Sequence, residues 1–148
     1  EITNLLIPGK NDSDKELSEM CGWIMRNLGA DVPLHFSAFH PDWKMLDIAR
    51  TPIETLSRAR EIALEKGLHY VYTGNVHDVA GSSSYCHKCG QRLIERDGYE
   101  LGCWAMDEDG CCRTCGTPVP GVFESEAGHW GARRKAVFIN DIIGDNQV

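Results

Sequence analysis

Two short stretches carry most of the chemistry this sequence can do. Cys86-x-x-Cys89-Gly90 and Cys112-x-x-Cys115-Gly116 repeat one spacing, with 22 residues between Cys89 and Cys112. Each offers two thiolates on a tight turn, and a glycine after the second cysteine lets the backbone take positive φ, which is expected to bring amides toward the sulfurs. Two such halves predict a tetrahedral four-cysteine site of the zinc-ribbon kind, with Cys86, Cys89, Cys112 and Cys115 as ligands. Four thiolates leave no open coordination position, so the ion would hold the fold and would not activate water. A redox CxxC pair, a pair of disulfides and a rubredoxin-like iron site are the other chemistries open to these residues. Cys111 adjoins Cys112 but breaks the CxxC spacing to Cys115. Cys103 is expected as a small buried residue on a hairpin, Cys21 as core, and His87, inside the first knuckle, as pointing to solvent.

The remaining candidates sit where strands are expected to end. In parallel α/β proteins ligands gather at the C-terminal ends of strands. Those ends carry Pro8 to Asp12, then His40 to Lys44, then Gly74, Asn75 and His77. His40, held between Phe39 and Pro41, is the best single candidate, because an imidazole there can stack on or hydrogen-bond a ligand ring. His35 and His69 are expected as packing residues within strands, and His129 has no evident partner. No Ser/His/Asp set, Walker loop or paired carboxylates stand out.

These residues need a scaffold, and the pattern around them supplies one. "ITNLLI" reads as a buried strand stopped at Pro8-Gly9. A helix follows, capped by Ser13 with Glu16 reaching back, with Leu17, Met20, Cys21, Ile24 and Leu28 on its apolar side, and closed by Gly29. "VPLHFSAF" is a second strand. Thr51 is expected to cap the next helix, with Pro52 in its first position, Glu54 completing the box, Ile53, Leu56, Ala59 and Ala63 buried and Gly67 closing it. "HYVYTGNV" is a third strand. Strands alternating with amphipathic helices predict βαβαβ with parallel strands. "AGSSS" at 80 to 84 reads as a linker, beyond which come short strands around Asp97-Gly98. The expected organisation is therefore a parallel α/β unit over 1–79, a four-cysteine ribbon over 80–124 and a tail over 125–148, in which "KAVFI" could form one more strand.

Composition narrows the class. Over 148 residues, 42% hydrophobic and 25% charged residues are ordinary for a globular protein with a core. A net charge of −7 opposes a phosphate backbone, and the only basic run is "ARRKA" at 132 to 136, so no nucleic-acid partner is expected. No apolar run approaches the roughly 20 residues that span a bilayer, and "EITNLLIPGK" lacks the flanks of a signal peptide. An odd total of seven cysteines suits metal or redox chemistry in a reducing compartment, so a cytoplasmic protein is expected. The chain opens on Glu1 straight into a strand-like run, and is expected to be a fragment of something longer.

With those residues in view, a resemblance can be stated. "EITNLLIPGKNDSDKEL", "VPLHFSAFHPDWKM", "TPIETLSRAREIALEKGLHYVYTGNV" and "YCHKCGQRLIER…CCRTCGTPVPGVFE" closely resemble the C-terminal half of the radical S-adenosylmethionine enzyme of the AmmeMemoRadiSam system, a relative of the pyruvate formate-lyase activating enzymes. The likeness runs from Glu1 to about Glu124. It implies the last strands of an open (β/α) barrel, with Thr3 and Leu5 lying along S-adenosylmethionine and His40 approaching its adenine. The family's reaction is one-electron cleavage of S-adenosylmethionine to a 5′-deoxyadenosyl radical, the electron coming from a [4Fe-4S] cluster held by CxxxCxxC. No CxxxCxxC occurs in these 148 residues, so the chain alone is expected to be inactive. The resemblance implies as partner the missing N-terminal barrel half, or another copy of the chain covering the open edge. A stand-alone zinc-ribbon module that docks a protein is the alternative, and a thiol redox protein a third.

Overall fold

The computed structural model describes residues 1–129 and 131–134. The "KAVFI" segment lies outside them. Strands β1 (Ile2–Leu6), β2 (Leu34–Ala38) and β3 (Val71–Gly74) alternate with helices α1 (Asp14–Leu28) and α2 (Ile53–Glu65). The three strands pair in that order, all parallel, in the register Ile2–Leu34–Val71 and Asn4–Phe36–Thr73. The molecule is thus mixed α/β, with the parallel βαβαβ order that the alternating pattern predicts.

Side chains alternate across a strand, so the register sorts the sheet into two faces. Leu6, Leu34, Phe36, Ala38 and Val71 pack with Leu17, Cys21 and Ile24 of α1 and Leu56, Ala59 and Ala63 of α2 in one core. Thr3, Leu5, His35, Ser37 and Tyr72 fall on the opposite, helix-free face, where Thr3 and Leu5 are exposed. Leu28 and Ile53, expected inside, are exposed at the ends of their helices. His35 and His69, expected to be buried, are part-exposed: His35 stacks on Tyr72 at 4.8 Å and His69 pairs with Asp31 at 2.8 Å.

The start of α1 forms as its sequence dictates, with the Glu16 amide donating to Ser13 Oγ at 3.3 Å and Gly29 closing the helix at φ 89°. The start of α2 does not. Pro52 occupies the cap, no side chain caps the helix, and the expected Thr51–Glu54 box is absent. Thr51 is instead buried, its hydroxyl donating to Leu6 O at 2.6 Å and accepting from the Phe39 amide at 3.0 Å. That hydroxyl ties the ends of β1 and β2 together, a tertiary demand that outcompetes local capping.

A second unit follows: α3 (Val79–Ser82), β4 (Ser84–Tyr85), β5 (Arg92–Asp97) and β6 (Glu100–Trp104), with the last three antiparallel in the order β4-β5-β6. Its own core is Cys86, Leu93, Ile94, Met106 and Cys112. The "AGSSS" stretch between the units is not a loose linker, because Gly81, Ser83 and Ser84 are buried. Asp78 caps α3 at the Gly81 amide and accepts a hydrogen bond from Thr73 of β3. A methyl group on Gly81 would collide with both the Asp78 carboxylate and the Thr73 hydroxyl. Among the described residues no helix is long and apolar enough to cross a membrane.

Candidate metal centre

Each knuckle closes by the same backbone device. The Gly90 amide donates to Cys86 O at 2.9 Å and the Gly116 amide to Cys112 O at 2.8 Å, with φ of 74° and 69° at the two glycines. The glycine amides therefore close the turns and do not reach the sulfurs. The amides of the next residues, Gln91 and Thr117, approach Cys89 and Cys115 instead, and the Thr117 hydroxyl lies 3.2 Å from Cys115 Sγ. The residue two places after the second cysteine is thus the sulfur's donor in both halves, a role the spacing itself could have signalled.

The fold then brings the halves together. Cys86 Sγ lies 3.6 Å from Cys115 Sγ and Cys89 Sγ 3.7 Å from Cys112 Sγ, and all four sulfurs fall within 4.8 Å of one another. Four sulfurs around a tetrahedral ion at about 2.3 Å stand about 3.8 Å apart, so this group could hold a metal ion. Cys86 and Cys112 are buried, Cys115 is half-buried and Cys89 is exposed. Without an ion the crowded sulfurs titrate unevenly. The Thr117 hydroxyl, then its amide, and the neighbouring thiols hold Cys115 down at about 6. At Cys89 the Gln91 amide pulls downward, but hydrogen bonding to the other thiols and burial push it up to about 12.

The other cysteines stay out of the site. Cys21 is core as expected, whereas Cys103, expected to be buried, is exposed on β6. Cys111 is half-buried beside Asp107 and Asp109. His87 does not replace a thiolate. It leaves the knuckle to stack face to face on His69, with centroids 4.1 Å apart and planes 10° apart, and its Nδ1 lies 3.4 Å from the Tyr70 hydroxyl. With Tyr72 Oη 2.8 Å from Ser84 Oγ and His77 Nε2 2.7 Å from Asp97 Oδ1, this stack joins the ribbon to β3 and its flanking turns.

The predicted cofactor residues occupy the sheet as follows. Thr3 and Leu5 lie exposed on the helix-free face, and His40 is exposed just beyond the C-terminal end of β2. Of the other strand-end residues, Asn11 holds the β1 turn through the Ile7 amide and Leu5 O, and Asn75, at φ 60°, donates to Ala38 O.

No protein-family model matches the chain, and no solved structure does. The chain is 44% identical over 120 residues to an uncharacterized protein of Methanocaldococcus jannaschii, MJ0808, a match that covers 80% of this chain and 36% of that protein. The chain therefore spans about a third of the length of the curated relative it matches.

Proposed function

We propose that this chain is the C-terminal part of a radical S-adenosylmethionine protein related to the glycyl-radical activating enzymes. It would contribute the adenine side of the cofactor site through Thr3, Leu5 and His40, and a structural Zn2+ ribbon through Cys86, Cys89, Cys112 and Cys115. The observation that carries this reading is the helix-free face of an all-parallel sheet, with Thr3 and Leu5 exposed on it and His40 at a neighbouring strand end. Parallel sheets are ordinarily covered on both faces, by helices or by closure into a barrel, so a face covered at Tyr72 by Ser84 and Arg96 but open at Thr3 and Leu5 suits the final strands of a larger β/α assembly. The relative's greater length fits that picture. Zinc is favoured for the ribbon because four thiolates with tetrahedral spacing and no open position make a structural site.

The [4Fe-4S] chemistry needs thiolates this chain lacks, so the reading makes the chain inactive alone and complete only with an N-terminal barrel half. The test is a chimera that places this chain behind the upstream segment of the M. jannaschii relative, reconstituted anaerobically with iron and sulfide. It should release 5′-deoxyadenosine from S-adenosylmethionine on reduction, and His40→Ala should raise KM for S-adenosylmethionine about tenfold with kcat little changed. The reading fails if this chain alone takes up an iron–sulfur cluster and releases 5′-deoxyadenosine, or if a folded, cluster-loaded chimera is indifferent to His40→Ala.

A further inference from the structure

Between the two units lies a cavity that the proposed cofactor site does not use. It has a volume of about 580 Å³, with Leu64, Leu68 and Tyr70 from the end of α2 and the approach to β3 on one side, and Tyr85, Cys86 and His87 from β4 and the first knuckle on the other. That size falls in the range of small-molecule sites, which gather at such seams. The cavity stands at the N-terminal end of β3, the opposite end of that strand from Asn75 and His77.

One unspent charge is stationed in it. Arg60, half-buried on α2, lines the cavity, and both groups that fix its guanidinium line it too: Nε donates to Val71 O at 3.0 Å, and Cζ lies 5.8 Å from the centroid of the Tyr85 ring. Those contacts hold the guanidinium at the cavity wall and leave its Nη donors free, since among the described residues they make no hydrogen bond and no ion pair. Arg92 approaches the same ring at 5.9 Å, but it is paired with Glu95 and does not line the cavity. No aspartate or glutamate lines it either, in a chain with 22 acidic residues and a net charge of −7. Asp31, which holds His69 at 2.8 Å, lies outside.

Apolar surface completes the site. Leu64 is 37% exposed and faces this cavity, above the buried Leu68 and Val71. A guanidinium with free Nη donors receives a carboxylate in a planar two-point fork, and a single guanidinium suits a monoanion. We infer that this cavity binds a small organic acid, its carboxylate on the Nη donors of Arg60 and its apolar body against Leu64 and Tyr85. The first knuckle supplies part of the wall, so the ribbon belongs to the site, and the site does not depend on the radical reading.

The whole chain, with its metal content as purified, is titrated with benzoate and, separately, hexanoate, while the Arg60 Nε–Hε resonance and the amides of Gly67 and Gly90, which line the cavity, are followed by NMR. Saturable shifts are expected with at least one acid, and the matching alcohol, benzyl alcohol or hexanol, should bind at least about tenfold more weakly. Arg60→Gln should weaken the acid about tenfold, and Arg58→Gln, on the same helix but outside the cavity, should leave it unchanged. Leu64→Ala, at an exposed position, should weaken the acid about threefold. Absence of saturable shifts with both acids, equal binding of acid and alcohol, or unchanged acid affinity in folded Arg60→Gln protein overturns the inference. If Arg60→Gln does not fold, Leu64→Ala decides, and unchanged acid affinity there overturns it as well.

Discussion

At the scale of single residues, the most consequential side chain outside the metal site is Thr51. Its hydroxyl serves a carbonyl 45 positions earlier and an amide 12 positions earlier, both buried. Thr51→Val should therefore cost about 1–3 kcal/mol in urea unfolding, because it removes two buried hydrogen bonds and leaves the Phe39 amide and Leu6 carbonyl only their 3.3 Å bond to each other, while Thr51→Ser keeps the hydroxyl and most of the stability. Glu54→Gln should change stability by less than about 0.5 kcal/mol, since no cap is lost. The cysteines make a pH prediction for the metal-free protein. Cys115 is held down at about 6 against an ordinary 9.0, so between those values the unfolded chain binds the extra proton. That contribution is complete above 9.0 and disappears as pH falls through about 6, whereas Cys89, raised to about 12, opposes it only as pH approaches the ordinary 9.0 at which the unfolded thiol ionises. Metal-free protein should accordingly unfold at lower urea at pH 6 than at pH 8, below the range in which the raised thiols of Cys89, Cys21 and Cys111 act in the opposite direction. A flat dependence would mean that the sulfurs are not gathered before the ion arrives.

At the scale of elements, what was legible in the sequence was what neighbours in sequence decide. The Ser13 cap, the closing glycines 29 and 67, the alternation of strands with helices and the turns of both knuckles rest on contacts a few residues apart, and they read correctly, although the amides at the sulfurs are those of Gln91 and Thr117 and not of the glycines. Thr51 was misread because its partners are distant. "AGSSS" was misread because small polar residues suit a linker in composition, yet Gly81 is there for close packing against Thr73 and Asp78. Gly81→Ala should lower stability by about 1–3 kcal/mol and loosen the ribbon from β3, measurable as a fall in melting temperature with loss of the His77–Asp97 contact. The two separate cores also predict how the molecule comes apart. Chelation should melt β4 to β6 and the second knuckle first, leaving the helical circular dichroism of α1 and α2 nearly intact. Unchanged spectra and unchanged Tyr and Trp fluorescence after full metal removal would contradict this.

For the whole molecule, the open surfaces set the expected behaviour in solution. β1 pairs only with β2 among the described residues, and Leu5, with Trp43, Met45 and Leu46 in the loop after β2, is exposed. A free strand edge beside apolar surface favours association. By itself the chain should form dimers or larger species in light scattering, and Leu5→Lys should shift them toward monomer. A monodisperse monomer of the unaltered chain would show that these surfaces are stable when bare. Finally, the unequal burial of the four thiols would give a bound ion a front and a back. Cys86 and Cys112 wall off one hemisphere, and Cys89 looks outward with Cys115 half-covered beside it. A carrier that delivers an ion, or a scavenger that strips it, would meet the side of Cys89 and Cys115, so exchange at such a site would be directional and set by the two accessible sulfurs.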